Sequence, residues 1–140
     1  MRFMVIVKAN KDSEAGVLPT EKDLSAMMKF NEDLVKAGVM LAGEASSKGV
    51  RVKFGPGSNK TVTDGPFSET KELIAGFWLW QCKSRDEAIE WLKRAPFGGG
   101  EEVEIRQVFE TDDFGDNVTP ETRARGERVE RQAAENAARA

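Results

Sequence analysis

The 140-residue chain contains no histidine and no tyrosine, and its one cysteine is Cys82. Histidine is the usual general base near neutral pH and a leading zinc ligand. Its absence excludes Ser-His-Asp and Cys-His catalysis, and any site that needs imidazole. Proton transfer falls to Asp, Glu, Lys or Cys82, whose pKa values the fold would have to shift. A lone cysteine excludes an internal disulfide. With no imidazolium to lower its pKa, Cys82 reads as inert. No apolar run approaches the roughly 20 residues of a membrane helix. Phe3–Val7 is too short for a secretory hydrophobic segment with its cleavage site, and reads as a first strand. Basic excess is missing too: 21 Lys and Arg stand against 24 Asp and Glu, a net charge of -3. Phosphate recognition needs a concentrated basic face, so nucleic acid is not expected as a partner. A cytoplasmic protein away from membranes is the default expectation, with no cofactor and no metal.

What is present reads as a small α+β domain. Arg2–Ala9 predicts a strand with Phe3, Val5 and Val7 on one face and Met4 and Ile6 on the other. Asn10–Leu18 reads as a polar loop. Thr20 caps a helix whose apolar stripe is Leu24, Met27, Met28, Leu34 and Val35, and Gly38 ends it. Val39–Ala45 reads as a short strand. Val50–Phe54 and Lys60–Thr63 alternate apolar with charged residues, as a hairpin with one wet face does. Leu73–Cys82 is the most apolar segment and a second central strand. Ser84-Arg-Asp-Glu87 is a capping box opening a short helix with Ala88, Ile89, Trp91 and Leu92 on its buried side, and Pro96 stops it. Gly98–Gly100 follows a helix and opens a strand, so it is not a phosphate loop. Glu102–Glu110 predicts the last strand, with Val103, Ile105 and Phe109 inward. From Thr119 onward the composition turns to a charged helix. It has Pro120 at its first position and acid-first pairs Glu121–Arg125, Glu127–Arg131 and Glu135–Arg139. The expected division is a domain over residues 1–115 and a helical tail over 116–140.

Without the hairpin, the order is strand–helix–strand–strand–helix–strand. A ferredoxin-like split βαβ antiparallel sheet follows, with helices on one face and the first and third core strands central. Both central strands are apolar on both faces, yet two helices cover only one. The inserted hairpin could cover part of the other. A second copy of the sheet is the more economical cover, which predicts a two-fold homodimer.

The segment Thr61–Phe77 concentrates chemistry around one turn. Asp64-Gly65-Pro66 is strong turn sequence, and Phe67, Glu69 and Lys71 lead from it into the apolar strand. Met4–Lys8, Phe30–Gly38, Leu41–Glu44, Thr61–Phe77 and Glu104–Glu110 together resemble the YCII-related proteins, in their DGPF subgroup. The resemblance runs over nearly Met1–Gly115. It implies a dimeric α+β barrel, a bacterial source and no settled activity. Enzymatic function is suspected in that family because a histidine and an aspartate recur. Some members are encoded beside, or fused to, extracytoplasmic-function sigma factors. Asp64 matches the aspartate. Where close relatives carry Leu-His-Pro before Ser-Ser-Lys-Gly, this chain runs straight through Glu44-Ala-Ser-Ser-Lys-Gly49. Half of the pair is therefore gone.

Asp64 is the candidate catalytic residue, with Glu44, Phe67, Lys71, Trp78 and Trp80 as candidate ligand-binding residues. Each has a plainer reading. Asp64 can serve an Asx-turn, Phe67 can plug the core beside Trp78, and the charges after the turn can be solvated surface. Trp78 and Trp80 share a strand face, either as a pocket wall or as packing. The expected function is a homodimer binding an unidentified small molecule near Asp64, as a cofactor-free or lapsed enzyme. The alternative is a regulatory or interaction module tied to sigma-factor or stress pathways.

Overall fold

The computed structural model describes residues 1–140, apart from the side chain of Lys71. It falls into two compact units, Met1–Val108 and Phe109–Ala140. In the first, the chain runs β1 (Arg2–Lys8), α1 (Lys11–Glu14), α2 (Glu21–Lys36), β2 (Met40–Ala45), β3 (Val50–Phe54), β4 (Lys60–Asp64), β5 (Ile74–Gln81), α3 (Arg85–Leu92) and β6 (Val103–Gln107). Four strands form one sheet in the order β2-β5-β1-β6, with every neighbouring pair antiparallel. The two apolar runs, β1 and β5, are the central strands. The structure is therefore α+β, and the place of each core strand is the one its composition predicts.

Register explains which side chains meet. Phe3 stands opposite Trp80, Val5 opposite Trp78, and Gly43 of β2 opposite Trp78 on the other side. These positions share one face, and helices α2 and α3 close over it. The core is Phe3, Val5, Phe30, Leu34, Val39, Trp78, Trp80, Cys82 and Ala88. Aromatic rings dominate it: Trp78 and Trp80 lie 5.5 Å apart, and Phe30 meets both edge-on at 5.8 and 6.2 Å. Gly43 is required by this packing, because a Cβ there would sit 2.5 Å from Trp78 Cδ1.

The helix ends follow their side chains. Thr20 Oγ1 accepts from the Asp23 N–H at 3.2 Å. Ser84 Oγ accepts from the Glu87 N–H at 3.1 Å, while Glu87 reaches back one residue further, to the Lys83 N–H. The buried stripe of α2 differs from the expected one. Leu34 is buried, but Leu24, Met28 and Val35 are exposed, and Phe30 takes the central place. The spacing Met27, Phe30, Leu34 faces the sheet, and an aromatic at its centre reaches the indoles that a leucine or methionine one position round cannot.

Three further expectations are corrected. Asn10–Leu18 is not merely loop: Asn10 and Ser13 form a reciprocal cap that starts α1. The hairpin β3–β4 makes its own two-stranded sheet with every residue exposed, and it leaves Met4 and Phe77 of the main sheet about 39% and 41% exposed. Phe109 is not inward on the last strand, which ends at Gln107.

The second unit contains a 3-10 segment, Thr111–Asn117, and α4 (Pro120–Arg139). Phe109 and Phe114 stack edge to face at 5.4 Å, and Arg123 pairs with Asp112 at 3.0 Å. Thr119 caps α4, Pro120 opens it, and no residue of α4 is buried. Glu121–Arg125 closes as spaced, at 3.8 Å. Arg139 instead donates to Asn136. Among the described residues, no helix is long and apolar enough to cross a membrane.

Candidate functional site

The Asp64 turn is held from several segments. The Gly65 N–H donates to the Gly49 carbonyl at 2.9 Å, and a Cβ on Gly65 would lie 2.7 Å from that oxygen. Lys48 Nζ donates to the Gly65 carbonyl at 3.1 Å and approaches Asp64 Oδ2 at 3.9 Å. The Phe67 N–H donates to Glu14 Oε2 at 3.1 Å. The Arg51 guanidinium lies 3.9 Å above the Phe67 ring, a cation–π stack. Residues from α1, the segment before β3, β3, β4 and the turn thus converge on a few side chains.

Asp64 sits at the end of β4 with its carboxylate 72% exposed. Among the described residues no backbone N–H donates to that carboxylate, so its partner is the Lys48 ammonium and not an Asx-turn. Phe67 is half-buried under Arg51 and lies outside the core. Glu44 is exposed on β2, opposite Phe77. The Lys71 side chain lies outside the described residues. Trp78 and Trp80 are packed into the core, 5% and 0% exposed. The structure therefore gathers Asp64 and Phe67 around one turn and places the indoles and Glu44 elsewhere.

Two residues that the sequence left unmarked matter here. Glu14 is a charged side chain at 7% exposure, and its carboxylate anchors the turn. It stands in a segment whose Asn10-x-x-Ser13 cap was the available signal for α1. Asn31 Oδ1 accepts from Trp78 Nε1 at 2.9 Å, fixing one indole. The other, Trp80 Nε1, is buried without a partner. Nothing in the sequence separates the two.

Chemically, the turn offers a carboxylate–ammonium pair at the surface, a second carboxylate behind it, and a guanidinium on an aromatic plane. These groups can hold a polar ligand by charge-assisted hydrogen bonds. Cys82 adds nothing reactive: it is buried, and burial pushes its thiol pKa up. Among the described residues, no group of three or more Cys, Asp or Glu side chains forms a metal ligand set. Three clefts indent the first unit: between α2 and the end of α3, between α3 and β6, and between the end of β1 and the glycine-rich connector. None of these three is lined by Asp64.

Comparison with known proteins gives the family and little beyond it. The YCII-related domain matches residues 1–112. A protein of Rhizobium meliloti (strain 1021), described as uncharacterised, is 33% identical over 72 residues. That match covers 51% of this chain and 57% of the other, so it spans little more than half of the relative's length. Among solved structures, the chain is similar to 5-chloro-2-hydroxyhydroquinone dehydrochlorinase of Burkholderia phenoliruptrix AC1100, in complex with 2,5-dihydroxybenzoquinone. The identity is 18% and the TM-score 0.40, over 79% of this chain and 96% of that one. Likeness at that level transfers neither a fold nor an activity.

Proposed function

The chain belongs to the YCII-related family, and we propose that it is a homodimeric protein that binds a small molecule beside Asp64. The observation that carries this is the convergence of Glu14, Lys48, Arg51, Asp64 and Phe67 on one turn. A plain connection between strands needs none of these contacts. The ligand is polar and bears both donor and acceptor groups, to meet the Asp64 carboxylate and the Lys48 ammonium. In a chain with no histidine, any proton transfer there falls to Asp64, Glu14 or Lys48. The protein is then a cofactor-free or lapsed enzyme.

The strand order β2-β5-β1-β6 supports a ferredoxin-like split βαβ domain, and the Asp64-Gly65-Pro66-Phe67 segment supports the DGPF type. Met4 and Phe77, left about 39% and 41% exposed on the face opposite the Trp78–Trp80 core, support a dimeric α+β barrel with a second copy as its cover.

Thermal-shift screening of small polar aromatic and aliphatic compounds tests the site. Ligands that raise the Tm of the parent should lose that effect on Asp64→Ala. Glu14→Gln keeps an acceptor for the Phe67 N–H and should retain the fold. Hits that stabilise Asp64→Ala as strongly as the parent would remove Asp64 from the site.

A second reading rests on α4, a 20-residue helix with no buried residue and alternating charge. Such a surface suits a regulatory or interaction module. A partner captured by the full chain, and lost when it ends at Gly115, supports it.

A further inference from the structure

A second charged cluster lies well away from the Asp64 turn in sequence. The cleft between α2 and the end of α3 has a volume of about 470 Å³, within the range of small-molecule sites. Its aromatic lining is Trp91 together with Phe30, the latter only 5% exposed. Its rim is cationic, from Lys29, Lys36 and Arg94, against one acid, Asp33. Helical spacing sets this pattern, since positions 29, 33 and 36 share one stripe of α2. Ala26 and Ala37 on the same stripe are small and leave the room that larger side chains would fill.

The charges are arranged, not scattered. Lys29 Nζ bonds Asp33 Oδ1 at 2.7 Å. The Arg94 guanidinium lies 4.5 Å from the Trp91 ring centroid, which orients it as a planar donor. The Lys29 hydrogen bond is the main cause holding the Asp33 carboxyl below its usual range. The charges of Lys29, Lys36 and Arg94 add to it, while desolvation opposes. Among the lining residues three cations face one carboxylate, while Glu32, outside the lining, also acts on Lys29. Because α2 and α3 cover the Trp78–Trp80 face, this cleft stays open even where a second copy covers the opposite face.

We propose that the α2–α3 cleft binds an aromatic carboxylate, its ring against Trp91 and Phe30 and its carboxylate on Arg94 and Lys36. An acid without an aromatic ring loses the stacking on Trp91, and inorganic phosphate uses only the cations. Asp33 opposes the ligand, since its carboxylate is a like charge already within the field of Lys36 and Arg94.

The test titrates the full-length protein with 2-naphthoate, and with cyclohexanecarboxylate and inorganic phosphate for comparison. The readout is the three indole N–H signals in ¹H–¹⁵N spectra, with Trp91 assigned by Trp91→Phe. The Trp91 signal should move with 2-naphthoate while the buried Trp78 and Trp80 signals stay. Arg94→Ala should weaken binding at least tenfold with the Trp78 and Trp80 signals unchanged, which reports an intact core. Asp33→Asn should tighten it several-fold, and Asp64→Ala should leave it unaltered. A Trp91 signal that stays still at millimolar 2-naphthoate overturns the proposal. So does equal binding by Arg94→Ala, or phosphate binding as tightly as 2-naphthoate. None of these results depends on whether Asp64 binds anything.

Discussion

The two faces of the four-stranded sheet come from the same strands and meet different fates. On one face Phe3, Val5, Trp78 and Trp80 are 5% exposed or less. On the other, Ile6 is 7% exposed, but Met4 and Phe77 remain 39% and 41% exposed. Hydropathy hardly distinguishes the two sets. The cover does: α2 and α3 supply Phe30, Leu34 and Ala88 to the first face, while Met4 and Phe77 on the second keep their exposure. The lesson is that an apolar strand states a demand for cover without saying where the cover comes from. Within one chain that demand is met once. The unmet half is the physical reason for proposing a second copy.

The largest effect that would break this comparison is a pair of truncations, Trp80→Ala and Phe77→Ala. Trp80 is fully buried among Phe3, Phe30 and Trp78, so its loss should cost about 3–5 kcal/mol. Phe77→Ala removes a ring that the single chain leaves partly wet and should cost well under that. Phe77 should instead govern assembly. Light scattering at micromolar concentration should give twice the 15.5 kDa chain mass for the parent and a shift toward monomer for Phe77→Glu. A monomeric parent would dissolve the argument for a covered second face, and equal destabilisation by the two truncations would erase the contrast between the faces.

A smaller effect sharpens the covered face. Gly43 lies opposite Trp78, and an added methyl would meet Trp78 Cδ1 at 2.5 Å and Met40 Cε at 3.0 Å. The indole is buried and tied to Asn31, so it cannot swing away freely. Gly43→Ala should destabilise by about 1–3 kcal/mol, the usual range for overpacking, read as a lower midpoint in urea at unchanged slope. The glycine in Leu41-Ala-Gly-Glu44 would then be explained by packing alone. An unchanged midpoint would show that β2 moves outward to admit the methyl.

The strand order was legible because continuity of apolar residues separates central from edge strands. The start of α2 was legible because the Thr20 side chain carries the cap chemistry. The buried stripe of α2 was misjudged because Leu24, Met28 and Val35 also fit a helical period. Only the aromatic partners on the sheet select Phe30 instead. The Asp64 turn was legible as a turn, since Asp-Gly-Pro limits the backbone strongly. Its supports were not, because Glu14 lies 53 residues from Phe67 and a contact that distant leaves no local period. Trp78 and Trp80 looked equivalent for the same reason. Their shared face was readable, but the acceptor on Asn31 was not.

That inequality gives a finer comparison within the core. Trp78→Phe removes the donor to Asn31 and leaves its carbonyl oxygen unpaired in a part-buried place. Trp80→Phe removes a donor that has no partner at all, so part of the lost ring area is offset by relief of an unsatisfied N–H. An unmade hydrogen bond costs about 1–3 kcal/mol. Trp78→Phe should therefore be the more damaging by about 1 kcal/mol, measured side by side in urea. The reverse order would mean that Trp80 finds an acceptor in solution, a buried water being the simplest one.

The smallest effect expected is at the C-terminus. Stability from burial scales with the apolar area withdrawn from water, and α4 withdraws little. Every residue from Thr119 to Ala140 is exposed, Val129 at 61% among them. The helix has sources of order of its own: the Thr119 cap, Pro120 at its first position and the Glu121–Arg125 pair. Contributions of these kinds amount to about 0.2–2 kcal/mol each and act on the helix, not on the sheet. Ending the chain after Gly115 should therefore leave the Tm of the first unit nearly unchanged, while far-UV ellipticity falls by the share of one long helix. A drop of several degrees would mean that the tail stabilises the sheet unit, through its own chain or a second copy. The charged surface of α4 would then belong to the assembly, and the reading of it as a free interaction helix would fail.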